Sequence, residues 1–341
     1  MGRNLRVEQT LRTSAKKGVR HFNAEKRLTP FSKSLLECIG NTPLLPLPKL
    51  ERDFSGVRLF AKAEWFNPGG SVKDRAALSI ISDAEASGRI RRGVTLLDAT
   101  SGNTGVAYAM IAAAKGYRAA LCVPKNANPQ VLALIRAYGA QVFPTDPLQG
   151  SDGAIREARR LAQESPERFL YLDQYNNSAN WKAHYRTTAV EIWEQTNYTV
   201  THFVAGLGTT GTFIGTGRRL KELNPGIQAV GVQPDAPLHG LEGLKHLESA
   251  IVPGIYDPFV HDEMLFVSTE EAYDAVQRLT EQEGVLAGPS SGAALAASLT
   301  LAKTLSSTSR DVPATIVMIF PDSGARYATE GLFTRTSSMG A

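Results

Sequence analysis

Short apolar runs alternate with amphipathic stretches from about residue 57 onward. Runs at 57–63, 94–99, 118–123, 141–143, 169–172, 202–205, 228–232, 265–268 and 315–320 have the length and bulk of buried strands. Between them, 73–86, 102–115, 129–138, 150–163, 179–195, 210–223, 269–282 and 290–305 read as helices. Alternating strand and helix predicts an α/β fold built on mostly parallel sheets, and strands this apolar are expected to be covered on both faces. One stretch, 234–262, breaks the alternation. With four Pro and three Gly it predicts a long irregular connection, a feature more often functional than accidental in a compact domain. The longest apolar candidates, 106–114 and 313–320, fall far short of the roughly 20 residues a bilayer requires, so no membrane partner is expected.

Composition narrows this picture. A chain of 341 residues with 43% hydrophobic and 21% charged positions is ordinary globular material. Its length predicts two domains at about 150 residues each. The net charge of +4 conceals an asymmetry: residues 1–30 hold eight basic and two acidic groups, so the rest of the chain is slightly acidic. A nucleic-acid-binding domain carries its positive charge on the folded body, so none is expected here. The leader has no apolar secretory core and reads either as an extension that is mobile or packs in a dimer, or as a transit peptide. It contains His21 but no cysteine, which argues against haem binding. Two cysteines, Cys38 and Cys122, cannot build a disulfide framework or a thiolate metal site, and they suggest a reducing, cytoplasmic setting. No metal-ligand spacing is present.

Two strand-to-helix junctions are rich in Gly, Ser and Thr: Thr100-Ser101-Gly102-Asn103-Thr104-Gly105 and Gly206-Leu207-Gly208-Thr209-Thr210-Gly211-Thr212. Glycine lets backbone N–H groups approach a ligand, and each following helix presents unpaired N–H groups and a positive dipole end. Either loop alone reads as well as a tight turn; two on one sheet predict a pair of anion cradles, one for a phosphate and one for a carboxylate. A third segment, Asn67-Pro68-Gly69-Gly70-Ser71-Val72-Lys73-Asp74-Arg75, places Lys73 in a first helical turn, where the dipole disfavours a cation. Lys73 is then either a surface partner of Asp74 or an amine of lowered pKa fit for nucleophilic or Schiff-base chemistry.

These segments, with Gly40-Asn41-Thr42-Pro43-Leu44, Leu172-Asp173-Gln174-Tyr175, Gly288-Pro289-Ser290-Ser291-Gly292 and Pro321-Asp322-Ser323-Gly324, occur in an order that resembles the pyridoxal-phosphate-dependent cysteine synthase and cystathionine β-synthase family, of fold type II. The resemblance covers about residues 35–333. It implies a two-domain fold like that of tryptophan synthase β. Residues 35–60 and 182–335 would form a larger, phosphate-binding domain and 61–181 a smaller one, with a basic extension at 1–34 and a tail at 336–341. It implies pyridoxal 5′-phosphate as cofactor, Lys73 as the Schiff-base lysine and general base, and Gly208, Thr209, Thr210, Gly211 and Thr212 as the phosphate loop. Asn103 would meet the pyridoxal 3′-oxygen and Ser290 the pyridine nitrogen. Thr100, Ser101, Asn103, Thr104 and Gln174 would hold the substrate carboxylate.

The implied reaction is β-replacement, making L-cysteine from O-acetylserine or O-phosphoserine and sulfide or another donor such as thiosulfate. Cystathionine β-synthase-like activity and serine or threonine deamination on the same fold are the alternatives. Residues 172–177, 183–185 and 201–204 resemble the B-type isoform of cysteine synthase, and Thr210 stands where many relatives have Gly. At Lys245-His246 those relatives carry two arginines, so Lys245 reads either as a solvated loop lysine or as a cation that meets an anionic leaving group or co-substrate. Arg218 and Arg219 read as a solvated face, His184 and His202 as structural histidines. Only eight residues follow Phe333, so the regulatory tail of cystathionine β-synthases is expected to be absent. The resemblance further implies a homodimer in the cytoplasm. Its partners would be an amino-acid substrate and a thiol donor, and serine acetyltransferase or a sulfur-carrier protein are candidate protein partners.

Overall fold

A computed structural model of the chain describes residues 34–307 and 313–328. The basic extension and the C-terminal tail lie outside them. The fold is α/β, with two sheets. The larger runs in the order β1-β2-β10-β7-β8-β9, formed by Leu44–Pro46, Val57–Ala63, Ala314–Phe320, His202–Gly206, Gln228–Pro234 and Glu263–Val267. All its pairings are parallel except β1 with β2. The smaller sheet runs β5-β4-β3-β6 and is wholly parallel, formed by Gln141–Thr145, Arg118–Pro124, Thr95–Ala99 and Phe169–Tyr171.

Apolar side chains fill both faces of both sheets. Every residue of β3 and of β10 is buried, which is why these strands read as unbroken apolar runs. One face of the larger sheet packs around Ile316, Met318 and Leu295, the other around Phe203, Phe213 and Val317. The smaller sheet has Leu96, Leu121 and Ile111 on one side and Leu97, Ala120 and Ile155 on the other. Cys122 is buried in the latter group. Residues 235–262 form the expected irregular connection.

Several elements differ from the sequence pattern. The helix expected over 179–195 is two helices, Ser178–Arg186 and Thr188–Gln195. Thr187 leaves helical geometry, its hydroxyl donating back to the Ala183 carbonyl at 2.8 Å while accepting from Arg75. Strand β5 runs two residues further than its apolar core, through Pro144, which is tolerated because β5 is an edge. Strand β1 is too short to leave a pattern.

In an open parallel sheet, ligands gather where the strand order reverses, beyond the carboxyl ends. The larger sheet reverses between β7 and β10, the smaller between β3 and β6. The loops after those four strands are residues 207–210, 321–323, 100–102 and 172–177.

A buried charge cluster fixes helix Lys73–Ala86. Arg75, two residues beyond Lys73, donates from Nε and Nη2 to both Glu64 oxygens at 2.7 and 2.9 Å. It also donates from Nη1 and Nη2 to both Glu191 oxygens at 2.6 and 2.7 Å. Lys62, fully buried in β2, pairs with Glu191 at 2.6 Å and donates to the Thr42 carbonyl at 2.7 Å. Burial alone would raise the Glu191 carboxyl, but the hydrogen bonds and charges of Arg75 and Lys62 hold it at about 2. Two cations and two anions leave the cluster neutral. Arg75→Met strands Glu64 and Glu191 without their main partner and should lower unfolding free energy by about 3–5 kcal/mol, as a reduced urea midpoint will show.

Candidate active site

Two adjoining cavities open at the carboxyl ends of β3, β6, β7 and β10. Lys73, Asn103, Gly208 and Thr209 line both. Thr100, Ser101, Thr104, Gln174 and Lys245 line the first; Thr210, Thr212 and Ser290 line the second. Gly211 lines neither but is packed behind the loop.

Lys73 is brought there by its clamped helix. Its first turn is held from below by Ser71 and Val72, which bridge to the segment after β10: Val72 N–H donates to the Pro321 carbonyl at 2.9 Å. Lys73 makes no ion pair among the described residues. Asp74 instead accepts the Gly69 N–H at 2.5 Å, so the surface-pair alternative does not hold. Burial lowers the pKa of the Lys73 amine, against the raising influence of Asp322 and Glu64.

The loop after β7 is shaped for an anion. A Cβ on Gly208 would sit 2.2 Å from the Gly243 carbonyl oxygen, and one on Gly211 2.0 Å from Asn180 Oδ1, so neither position has room for a side chain. Thr210 adopts φ +70°, a left-handed conformation costly for a β-branched residue. Its buried hydroxyl has no hydrogen-bond partner among the described residues. Helix Gly211–Leu223 begins at this turn, and Thr212 in its first turn lines the second cavity. An orphan hydroxyl, glycines that admit no Cβ and a helix start fit a phosphate, and the lysine amine in the same cavity fits an aldehyde. The residues present therefore fit pyridoxal phosphate. Behind the loop, His184 Nε2 meets Thr212 Oγ1 at 3.3 Å and Nδ1 meets Thr188 Oγ1 at 2.9 Å. Burial pushes the His184 imidazole down to about 3, so it stays neutral, in keeping with a structural role.

The loop after β3 is pre-ordered. Thr100 Oγ1 accepts the N–H groups of Gly102 at 3.0 Å and Gly105 at 3.2 Å. Thr104 donates to Gln174 Oε1 at 2.9 Å, and Gln174 Nε2 donates to the Ala99 carbonyl at 2.6 Å. Asn180 joins the two loop systems, donating to the Gln174 carbonyl at 2.7 Å and to Thr209 Oγ1 at 3.0 Å. Ser290, buried in the first turn of helix Pro289–Ser306, faces the second cavity with a neutral hydroxyl.

Lys245 is not a free cation. It is buried, pairs with Asp152 at 2.7 Å, donates to Ser151 at 3.2 Å and lies over the Tyr175 ring. Asp152 also accepts the Ile251 N–H at 2.8 Å, so one carboxylate ties the irregular connection to helix Gly150–Glu164 at the cavity wall. Sequence reasoning assigned no role to Ser151, Asp152, Asn180, Glu242, Arg326 or Tyr327. Asp322 and Tyr175 fell in matched segments, a signal of their placement but not of their role. No helix among the described residues is long and apolar enough to cross a membrane, and no cluster of metal-ligating side chains occurs among them.

Comparison with known proteins agrees with this geometry. The chain is 51% identical over 304 residues to the cysteine synthase of Aquifex aeolicus, covering 89% of this chain and 92% of that protein. It is 41% identical over 300 residues to cysteine synthase B of Escherichia coli, covering 88% and 96%. The crystal structure of cysteine synthase from Entamoeba histolytica superposes with a TM-score of 0.84 at 32% identity, covering 93% of this chain and 94% of that one. Residues 35–322 match the family described as pyridoxal-phosphate dependent enzyme. Matched by the family over most of its length, and with a buried lysine amine beside a loop that fits a phosphate, the chain belongs to the pyridoxal-phosphate dependent enzymes.

Proposed function

We propose that the protein is a β-replacement synthase that makes L-cysteine from an activated serine and a thiol donor. The observation that carries this reading is the convergence of Lys73 with the 100–105 and 206–212 loops on adjoining cavities. When bound, pyridoxal phosphate supplies the electron sink that acidifies the substrate Cα–H and allows the β-substituent to leave. Lys73 anchors the cofactor and, once released, takes the Cα proton. Its lowered pKa keeps more of the amine neutral near neutral pH, so the acid limb of the rate profile should fall below the usual lysine range. Gly208, Thr209, Thr210, Gly211 and Thr212 hold the phosphate. Thr100, Ser101, Asn103, Thr104 and Gln174 hold the substrate carboxylate. Ser290 faces the ring nitrogen as a hydroxyl, which leaves that nitrogen largely unprotonated and favours elimination over transamination. A homodimer is part of the reading.

Lys73→Ala should abolish the visible absorbance of protein reconstituted with pyridoxal phosphate and lower the synthase rate by at least about 10²–10⁴-fold. Unchanged absorbance would remove the Schiff-base assignment. A synthase should form pyruvate only slowly from serine without thiol; rapid pyruvate release would make the protein a deaminase.

The donor can be tested at Lys245. Its charge is engaged by Asp152, so an anionic leaving group would have to compete for it. We expect Asp152→Asn to raise kcat/KM for O-phosphoserine relative to O-acetylserine and Lys245→Ala to lower it. Parallel changes for both donors would show that Lys245 only braces the connection.

A further inference from the structure

The turn after β10 places two side chains on Asn103 that the reading above does not use. Asn103 Nδ2 donates to Asp322 Oδ2 at 2.7 Å, and Arg326 Nη1 donates to Asn103 Oδ1. The oxygen and nitrogen of an amide exchange places on a half-turn of the side chain, so only their partners decide which way it sits. Here one end meets a carboxylate, which accepts, and the other a guanidinium, which only donates. A flipped amide would oppose oxygen to oxygen and N–H to N–H. Asp322 engages one of the two Nδ2 hydrogens. Asn103 lines both cavities, so the second N–H is left for a ligand.

Both orienting groups are themselves held. Asp322 is 1% exposed, and its Oδ2 also accepts from Tyr327 Oη at 2.7 Å. Its Oδ1 has no hydrogen-bond partner among the described residues and lies where a Cβ on Gly288 would approach to 2.2 Å. The second arm of Arg326 donates to the Gly69 carbonyl, so the same guanidinium braces the segment that leads into Lys73.

We propose that Asp322 and Arg326 are positioning residues that lock the Asn103 amide with an N–H, not its carbonyl, toward the 3′-oxygen of pyridoxal phosphate, and thereby keep that oxygen anionic. The proposal rests on the reading that Asn103 faces this oxygen. An N–H donor stabilises the oxygen anion; a carbonyl in its place would accept a hydrogen bond from the protonated oxygen and favour the neutral hydroxyl.

The test uses full-length protein reconstituted with pyridoxal phosphate, with bound cofactor quantified after release in base. Asp322→Asn and Arg326→Met should each retain cofactor while the visible band loses intensity to a near-ultraviolet band, and kcat should fall about 10–100-fold, the scale seen when the partner that orients a ligand is removed. The double variant should shift the band ratio no further than the larger single change, because both act through one amide. Arg326→Met keeps the test valid should the buried Asp322→Asn fail to fold. Asn103→Ala separates the two levels. If it changes the band ratio and neither single variant does, the lock is wrong and the reading of Asn103 stands. If Asn103→Ala itself leaves the ratio untouched, Asn103 does not face the cofactor oxygen, and both fall.

Discussion

The arrangement depends on a buried arginine. Arg75 reaches both oxygens of Glu64 and both of Glu191, drawing the start of helix Lys73–Ala86 against the end of β2 and against helix Thr188–Gln195. Such a cluster is not in itself a large source of stability, because removing four charges from water offsets most of their attraction. Its effect is geometric. A planar fork with fixed donors permits few positions, so the helix turn that carries Lys73 is set in both depth and rotation. The same cluster reaches Thr42 and Asn67, and through them the two segments that flank that turn.

From this fixed point the loops of both sheets converge on the cavities that one amine lines. The larger sheet supplies the 207–210 turn after β7 and the smaller the 100–102 turn after β3, each at the strand where its sheet changes direction. Asn180 and the Asp152–Lys245 pair span the two sets of loops. The site is thus held by polar links between elements far apart in sequence, while the apolar packing of each sheet stays local to that sheet. This division suits an enzyme that must exclude water around a reactive intermediate yet admit a second substrate, because polar links can open without disturbing either core.

Most of the fold and the loops that line the cavities were legible in the sequence. Alternating apolar runs and amphipathic stretches located nine of the ten strands among the described residues, because a strand covered on both faces must be apolar along its length. The two Gly/Thr-rich junctions were visible because close backbone approach to a ligand excludes side chains, and that demand is written in residue type. The break at Thr187 was not legible, since it arises from a hydroxyl that bonds back within its own turn and is met by Arg75, which lies over a hundred residues away in the chain. The engagement of Lys245 by Asp152 was equally hidden: a basic residue in an irregular segment carries no mark of the acid it will meet.

The sequence by itself determined which backbone segments can turn tightly, which runs must be buried and that Lys73 occupies a helix start, because each of these is a local property of a few consecutive residues. Only the tertiary structure decided that this lysine would lose its surface partner and become a buried amine, that Asn103 would sit between a carboxylate and a guanidinium more than two hundred residues away, and that the charge on Lys245 would be spoken for. Hydrogen-bond direction and charge pairing between distant segments depend on how the two sheets are placed against each other, and no pattern within either segment encodes that placement.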